Sequence, residues 1–137
     1  MLLSKEDMFC EAQATSTTAT ASTNVLDFHK HGDDILHNLF WSVWVRSVSG
    51  TVDKDLTITW ETCAAEAFAS NVKTLATVVV AKADAVAGAF VVKNAALPKG
   101  LLRYNRLKFT ETSGTKFPDV TAFVHTDRVE GQPVTGV

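Results

Sequence analysis

Cysteine is scarce in this sequence, and long apolar runs are missing. The two cysteines, Cys10 and Cys63, lie far apart, whereas disulfide scaffolds carry more cysteines in shorter chains. The two could pair, but we expect free, buried thiols. No apolar stretch reaches the ~20 residues of a membrane helix. The opening residues, MLLSKEDMFCEAQ, lack the basic start and apolar run of a signal peptide. We expect a soluble protein without a membrane partner.

An excess of positive charge is also lacking. The formal net charge is −2 and the sequence pI is about 6.0, whereas nucleic-acid and anionic-membrane binding need clustered Lys and Arg. We therefore expect no nucleic-acid partner. The length of 137 residues suits one domain. Such a domain buries enough surface to fold without a metal or a disulfide.

Catalytic signatures are absent from the sequence. The seven glycines are scattered singly, so no loop resembles a phosphate-binding one. There is no Gly-x-Ser-x-Gly elbow, and no histidine lies close to Cys63 in sequence. We expect no enzyme, no catalytic residue and no cofactor.

One segment combines residues of metal-ligand type. It reads HKHGDD and contains His29, His31, Asp33 and Asp34. Two histidines at i and i+2 share one face of a strand, as in some metal sites. The glycine and the aspartates instead favour an exposed, solvated turn, and a pH-sensitive contact at a subunit boundary is a further reading. We expect no metal.

Short β-type runs separated by turn residues fill the rest of the chain. We predict strands at 25–28, 39–48, 56–62, 75–81, 89–93, 101–112 and 120–126. Strict alternation in two of them defines a core face, made of Trp41, Val43, Val45, Ser47, Leu56, Ile58 and Trp60. Strands at this spacing, without helical periodicity, predict an all-β domain that is a sandwich, a jelly roll or a small barrel.

The N-terminal region has a different composition. Residues 12–23 read AQATSTTATAST and are too poor in large apolar groups to hold a core. We predict an extended N-terminal arm over 1–24, a sandwich over 25–127 and a C-terminal tail over 128–137. The arm either lies on a neighbouring subunit or is a flexible leader.

A small basic patch occurs near the C-terminal end. It comprises Lys99, Arg103, Arg106 and Lys108 around the single tyrosine, Tyr104. A regular strand would place Arg103 and Arg106 on opposite faces, which does not favour a nucleic-acid groove. Charges mixed with Leu107 and Phe109 suit a sheet edge or a protein interface.

Two blocks of sequence resemble the capsid cement proteins of short-tailed phages, as in the Bordetella phage cement protein family. The first block is EAQAT at 11–15 with ASTNVLD at 21–27. The second is LRYNRLKFT at 102–110 with VTAFV at 120–124. The resemblance implies an antiparallel β-sandwich of jelly-roll type with extended terminal arms.

The same resemblance implies a place on the outer surface of a phage head. The implied partners are the major capsid protein of that phage and further copies of the chain, with a dimer favoured over a trimer. Synthesis would take place in the bacterial cytoplasm. Arg and Tyr are enriched at interface hot spots. The predicted interface residues are Arg103, Tyr104, Arg106, Thr18, Thr20 and Asn24.

Two other readings remain open. One is a binding module, such as a carbohydrate-binding jelly roll or a receptor-recognition domain of a phage tail, which would expose tryptophans among polar groups. The other is a cupin-type metalloenzyme. Its ligands would have to be His29, His31 and His125, whose spacing does not match the cupin pattern.

Overall fold

Strands provide all the regular structure that can be described for this chain. The computed structural model describes residues 2–3, 7–15, 19–28, 39–48, 54–111, 118–126 and 134–135, and these contain no helix element. Among them there is accordingly no helix that is long and apolar enough to cross a membrane. The predictions for Thr18 and for His29, His31, Asp33 and Asp34 fall outside the described residues.

Each of the seven predicted strands overlaps an observed one. The strands are β1 Leu2–Leu3, β2 Met8–Ala14, β3 Thr20–Ala21, β4 Leu26–Asp27, β5 Phe40–Val48, β6 Leu56–Cys63, β7 Lys73–Val80, β8 Phe90–Ala96, β9 Tyr104–Glu111, β10 Pro118–His125 and β11 Val134–Thr135.

Two antiparallel sheets form a sandwich, which confirms the predicted fold class. One sheet has the order β2-β10-β5-β8 and the other the order β3-β9-β6-β7, with β4 also paired to β9. When β3 and β4 are counted as one interrupted strand, the chain changes sheet in the order of a jelly roll with two Greek keys. The short β1 and β11 pair in parallel as a separate two-stranded sheet.

Three aromatic rings connect the two sheets. Trp60 of β6 makes edge-to-face contacts with Phe9 of β2, at 5.0 Å between centroids, and with Trp41 of β5, at 5.3 Å. The indole N–H of Trp60 donates to Asn105 Oδ1 over 3.0 Å. Each ring contact contributes about 0.5–1.5 kcal/mol beyond the area that it buries. The polar edge of Trp60 is therefore satisfied inside the apolar layer.

The predicted core face is confirmed except at one position. Trp41, Val43 and Val45 of β5 are buried, whereas Ser47 is exposed. The register between β5 and β10 shifts next to Ser47, between Asp119 and Val120. Strict alternation of the two faces therefore does not extend to this end of the strand. In β6, Leu56, Ile58 and Trp60 are all fully buried, as predicted.

The predicted arm over 1–24 requires a correction, because part of it is a strand of the sandwich. Strand β2 pairs with β10, and Phe9 and Cys10 are fully buried in the core. Large apolar side chains at the start of β2 provide the anchor that residues 12–23 lack. In the predicted tail over 128–137, the described residues are Val134–Thr135, and they pair with Leu2–Leu3.

Bulges interrupt both outer strands of the four-stranded sheet. Ala12 in β2 and Asn94 in β8 have left-handed backbones, with φ of 49° and 52°. Each backbone N–H donates to a hydroxyl of the neighbouring strand, Ala12 to Thr121 Oγ1 and Asn94 to Ser42 Oγ, both at 3.0 Å. A left-handed alanine is strained because of its Cβ. The two hydroxyls hold both bulges in place.

Ala12→Gly is expected to raise the free energy of unfolding by about 0.5–1 kcal/mol, because glycine adopts the left-handed backbone without strain. Ala14→Gly, on the same strand without positive φ, is the matched control and should lower it by about 0.5–1 kcal/mol. Urea unfolding measures both values. An equal decrease in the free energy of unfolding in both variants would contradict the left-handed backbone at Ala12.

Candidate functional site

Two of the predicted interface residues, Tyr104 and Arg106, lie on the outer face of the five-stranded sheet, the side turned away from the core. Along β9, the side chains of Tyr104, Arg106 and Lys108 alternate with fully buried ones. The strand begins at Tyr104, so its alternation does not include Arg103. The prediction that Arg103 and Arg106 occupy opposite faces of a regular strand therefore does not apply, because Arg103 precedes the strand.

Arg103 lies against Tyr104 and Asp27. Its Nε and a terminal nitrogen donate to the two carboxylate oxygens of Asp27, each over 2.9 Å. Its guanidinium carbon lies 5.0 Å from the centre of the Tyr104 ring. The hydrogen bonds to Asp27 raise the pKa of Arg103, and the negative charge of the carboxylate adds to this effect. The two-point geometry fixes a partly exposed cation at the edge of the sheet.

Arg106 is held more tightly. Its Nε donates to Glu61 Oε1 over 2.8 Å, and the side chains of Arg106 and Glu61 are only 20% and 12% exposed. Lys108 approaches the second oxygen of Glu61 at 4.0 Å. These groups neutralise one another across β6 and β9. Most of the surface that a partner could contact on Arg106 is already covered.

The loop after β6 covers Arg106 from the outside. The Phe68 ring lies 4.3 Å from the guanidinium carbon of Arg106. Phe68 has a left-handed backbone, with φ of 51°, which is uncommon for a bulky residue. Its N–H donates to the carbonyl of Ala65, and the Cys63 thiol donates to the carbonyl of Ser70. These contacts hold the loop against the sheet.

Asn24 and Thr20 have local partners. The Asn24 amide donates to the carbonyl of Met8 over 3.1 Å, and its backbone N–H donates to the carbonyl of Phe9 over 2.8 Å. Asn24 thereby ties the segment before β4 to the start of β2. Thr20 pairs with Phe109 at the edge of the sheet. The described candidates thus fall into an Arg103–Tyr104–Asp27 group, an Arg106–Glu61 group and two residues that connect strands.

Sequence patterns missed a second buried layer, on the outer face of the four-stranded sheet. Ser42 and Phe123 there are fully buried, and Met8 and His125 are nearly so. Ser42 Oγ lies 2.8 Å from His125 Nε2, and the rings of Phe123 and His125 are 5.2 Å apart. The signal was the mostly apolar VTAFV in β10, since an apolar run without alternation is typical of a strand that is buried on both faces.

The Ser42–His125 contact resembles a nucleophile and its base in distance alone. Ser42 has no exposed surface and His125 is 5% exposed, so no substrate reaches them in this conformation. Ser42 Oγ also accepts the N–H of the Asn94 bulge. The pair therefore orders the outer layer of the sheet.

The two cysteines are free and buried, as predicted. Burial raises the pKa of the Cys10 thiol to about 12, against a smaller opposite effect of a hydrogen bond with Ala122. A thiol with such a pKa is a poor nucleophile at neutral pH. Among the described residues, no three His, Cys, Asp or Glu side chains are placed to hold a metal ion.

A family model described as Bbp16 matches residues 9–124. The matched range runs from β2 to β10 and therefore includes both sheets. It also includes the two blocks that resemble phage cement proteins and the segment between them. No curated protein matches the chain.

Arg106→Ala is expected to lower the free energy of unfolding by about 1–3 kcal/mol, because it leaves the mostly buried Glu61 carboxylate without its main donor. Arg103→Ala is the comparison, and it should leave the thermal midpoint near the wild-type value, because the Arg103–Asp27 ion pair is partly exposed and such pairs contribute little to stability. Thermal and urea unfolding of both variants test this. An equal loss of stability in the two would contradict their different roles.

Ser42→Ala should destabilise the domain by about 1–3 kcal/mol, because the Asn94 N–H loses its acceptor and His125 loses a hydrogen-bond partner. Ser47→Ala, on the same strand but at an exposed position, should change stability by less than about 0.5 kcal/mol. Urea unfolding compares the two. Similar values would indicate that the Ser42 hydroxyl does not order the outer layer.

Proposed function

The chain belongs to the Bbp16 family, whose name marks a phage protein, and from this membership we propose that it is a capsid cement protein. In this role it binds the outer surface of the major capsid protein shell and stabilises the joints between capsomers. The observation that carries the proposal is the family match over 9–124, which covers nearly the whole sandwich.

The mechanism needs contact area and a rigid body. A shell filled with DNA is under outward pressure, which separates capsomers at their joints. A protein that bridges a joint and buries on the order of 1,500 Å² adds an attraction that separation must overcome. The Trp60 contacts and the long ladders between strands make the sandwich a stiff bridge. Such a bridge transmits load between its two ends.

The proposed role requires no chemical step. The one serine–histidine contact in the described part of the chain is buried and supports a bulge. The Cys10 thiol is held in its protonated form. We propose that the protein acts by binding alone, and that Arg103 and Tyr104 are among its contact residues because they combine an exposed cation with an aromatic ring.

Self-association belongs to the same proposal. A dimer is favoured, and a trimer is the alternative for a joint where three capsomers meet. Either form doubles or triples the number of shell contacts, so that weak single contacts add up to firm attachment. Sedimentation of the free chain distinguishes these states.

The first measurement is the copy number of the chain relative to the major capsid protein in purified virions. We expect about one chain per shell subunit, and we expect heads lacking the chain to release DNA at a lower temperature. Adding back the purified chain should restore the wild-type release temperature.

Each other result has a definite meaning. A few copies per particle would place the chain at a vertex or in the tail and would favour a receptor-binding module. Absence from virions, or heads that are equally stable with and without the chain, would overturn the cement proposal.

A further inference from the structure

Three of the four edges of the sandwich are interrupted. The β2 edge has the left-handed Ala12, and the β8 edge has the left-handed Asn94. The edge beside β9 consists of β3 and β4, which have two residues each. Bulges and short strands are the devices that prevent a sheet edge from pairing with another chain. These three edges are thus protected.

The fourth edge, β7, has a regular run that is long enough to pair. It has eight residues, KTLATVVV, and pairs with β6 alone among the described strands. Its one register shift lies beside Thr74 and leaves Ala76 to Val80 in regular pairing with β6. After Lys73 the strand has no charge and no proline. Such a run on an open edge is a template for another strand.

The register identifies which backbone groups of β7 point outwards. Leu107 of β9 exchanges hydrogen bonds with Ser22, so its N–H and C=O point away from β6. Its partner Trp60 must therefore direct its own N–H and C=O towards β7, where it pairs with Ala76. Further along β7 the two kinds of pair alternate, so Val78 bonds to Ile58 of β6 as Ala76 does to Trp60, whereas Thr77 and Val79 lie at non-hydrogen-bonded pairs. Thr77 and Val79 consequently direct their N–H and C=O to the open edge.

The side chains beside these groups are accessible. Val79 is 63% exposed, the highest value among the large apolar residues that are described, and Thr77 is exposed. On the other face, Ala76 and Val78 pack against the core but are only partly buried. A further strand with apolar residues at alternate positions would complete the burial of this face.

We propose that β7 is the docking edge for an extended segment of the shell protein, which adds a strand to the five-stranded sheet. Thr77 and Val79 each supply one donor and one acceptor to this segment. The segment would carry small apolar residues at alternate positions and a carboxylate near the exposed Lys73. This inference rests on the proposed function, because it specifies how the cement protein holds its shell.

Contact area favours this occupant over a second copy of the chain. Two rigid sandwiches that met only along β7 would share a contact one strand wide, below the ~1,200 Å² at the lower end of stable interfaces. A segment of the shell protein does not have to supply the whole area, because other surfaces of the sandwich contact the shell at the same time.

The test compares two substitutions at one position. Thr77→Pro removes an outward N–H that β6 does not use, and proline is tolerated at such edge positions. Thr77→Ala keeps the N–H and removes the side chain. Binding is measured on phage heads assembled without the chain. We expect Thr77→Ala to bind as the wild type does and Thr77→Pro to bind at least about tenfold more weakly. Val79→Pro is a second variant, and thermal unfolding confirms that each one is folded.

Hydrogen exchange of the peptide covering 73–80 gives an independent readout. We expect fast exchange at Thr77 and Val79 in the free chain and slow exchange on heads. If the wild type does not bind heads, the proposed function itself fails. If the wild type binds and the folded proline variants bind equally well, β7 is not the docking edge and the inference is overturned. If Thr77→Pro converts an oligomer of the free protein into monomers, β7 pairs with a second copy of the chain. That result would overturn the proposal.

Discussion

The contact between Trp60 and the rings of Phe9 and Trp41 is the interaction on which the rest of the structure depends. It joins β6 of one sheet to β2 and β5 of the other. Its single polar atom is satisfied by Asn105, whose own amide donates to the carbonyl of Leu102. The ring contacts thereby fix the spacing of the sheets and also the start of β9. The positions of the charged groups on the outer face depend on this arrangement.

Sequence patterns predicted the strands whose two faces differ in polarity. LTITWET alternates, and β6 buries Leu56, Ile58 and Trp60 accordingly. The sequence MFCEAQA of β2 does not alternate, and its partner β10 lies more than a hundred residues away. No local signal therefore showed that this segment belongs to the sandwich. The position of Arg103 depends on Asp27, a contact between distant residues that spacing along one strand does not reveal.

The charged side chains of the outer face and the exposed main chain of β7 differ in how far their polar groups are already paired. Arg106, Glu61 and Lys108 mainly satisfy one another across the outer face of the five-stranded sheet, and Phe68 covers the guanidinium of Arg106. The exposed main chain of β7 instead offers hydrogen bonds whose directions are already fixed.

The pairing of β2 with β10 determines when this protein can fold during its synthesis. The Ala12 N–H reaches Thr121, 109 positions further along the chain. The four-stranded sheet has β10 at its centre, between β2 and β5. On a ribosome, β5 can pair with β8 before β10 has emerged, whereas β2 emerges long before β10, its only partner among the described strands. Final closure must wait until nearly the whole chain has been released. Contacts between residues so far apart in the sequence form slowly, so each new copy passes through a state in which β2 has not yet paired.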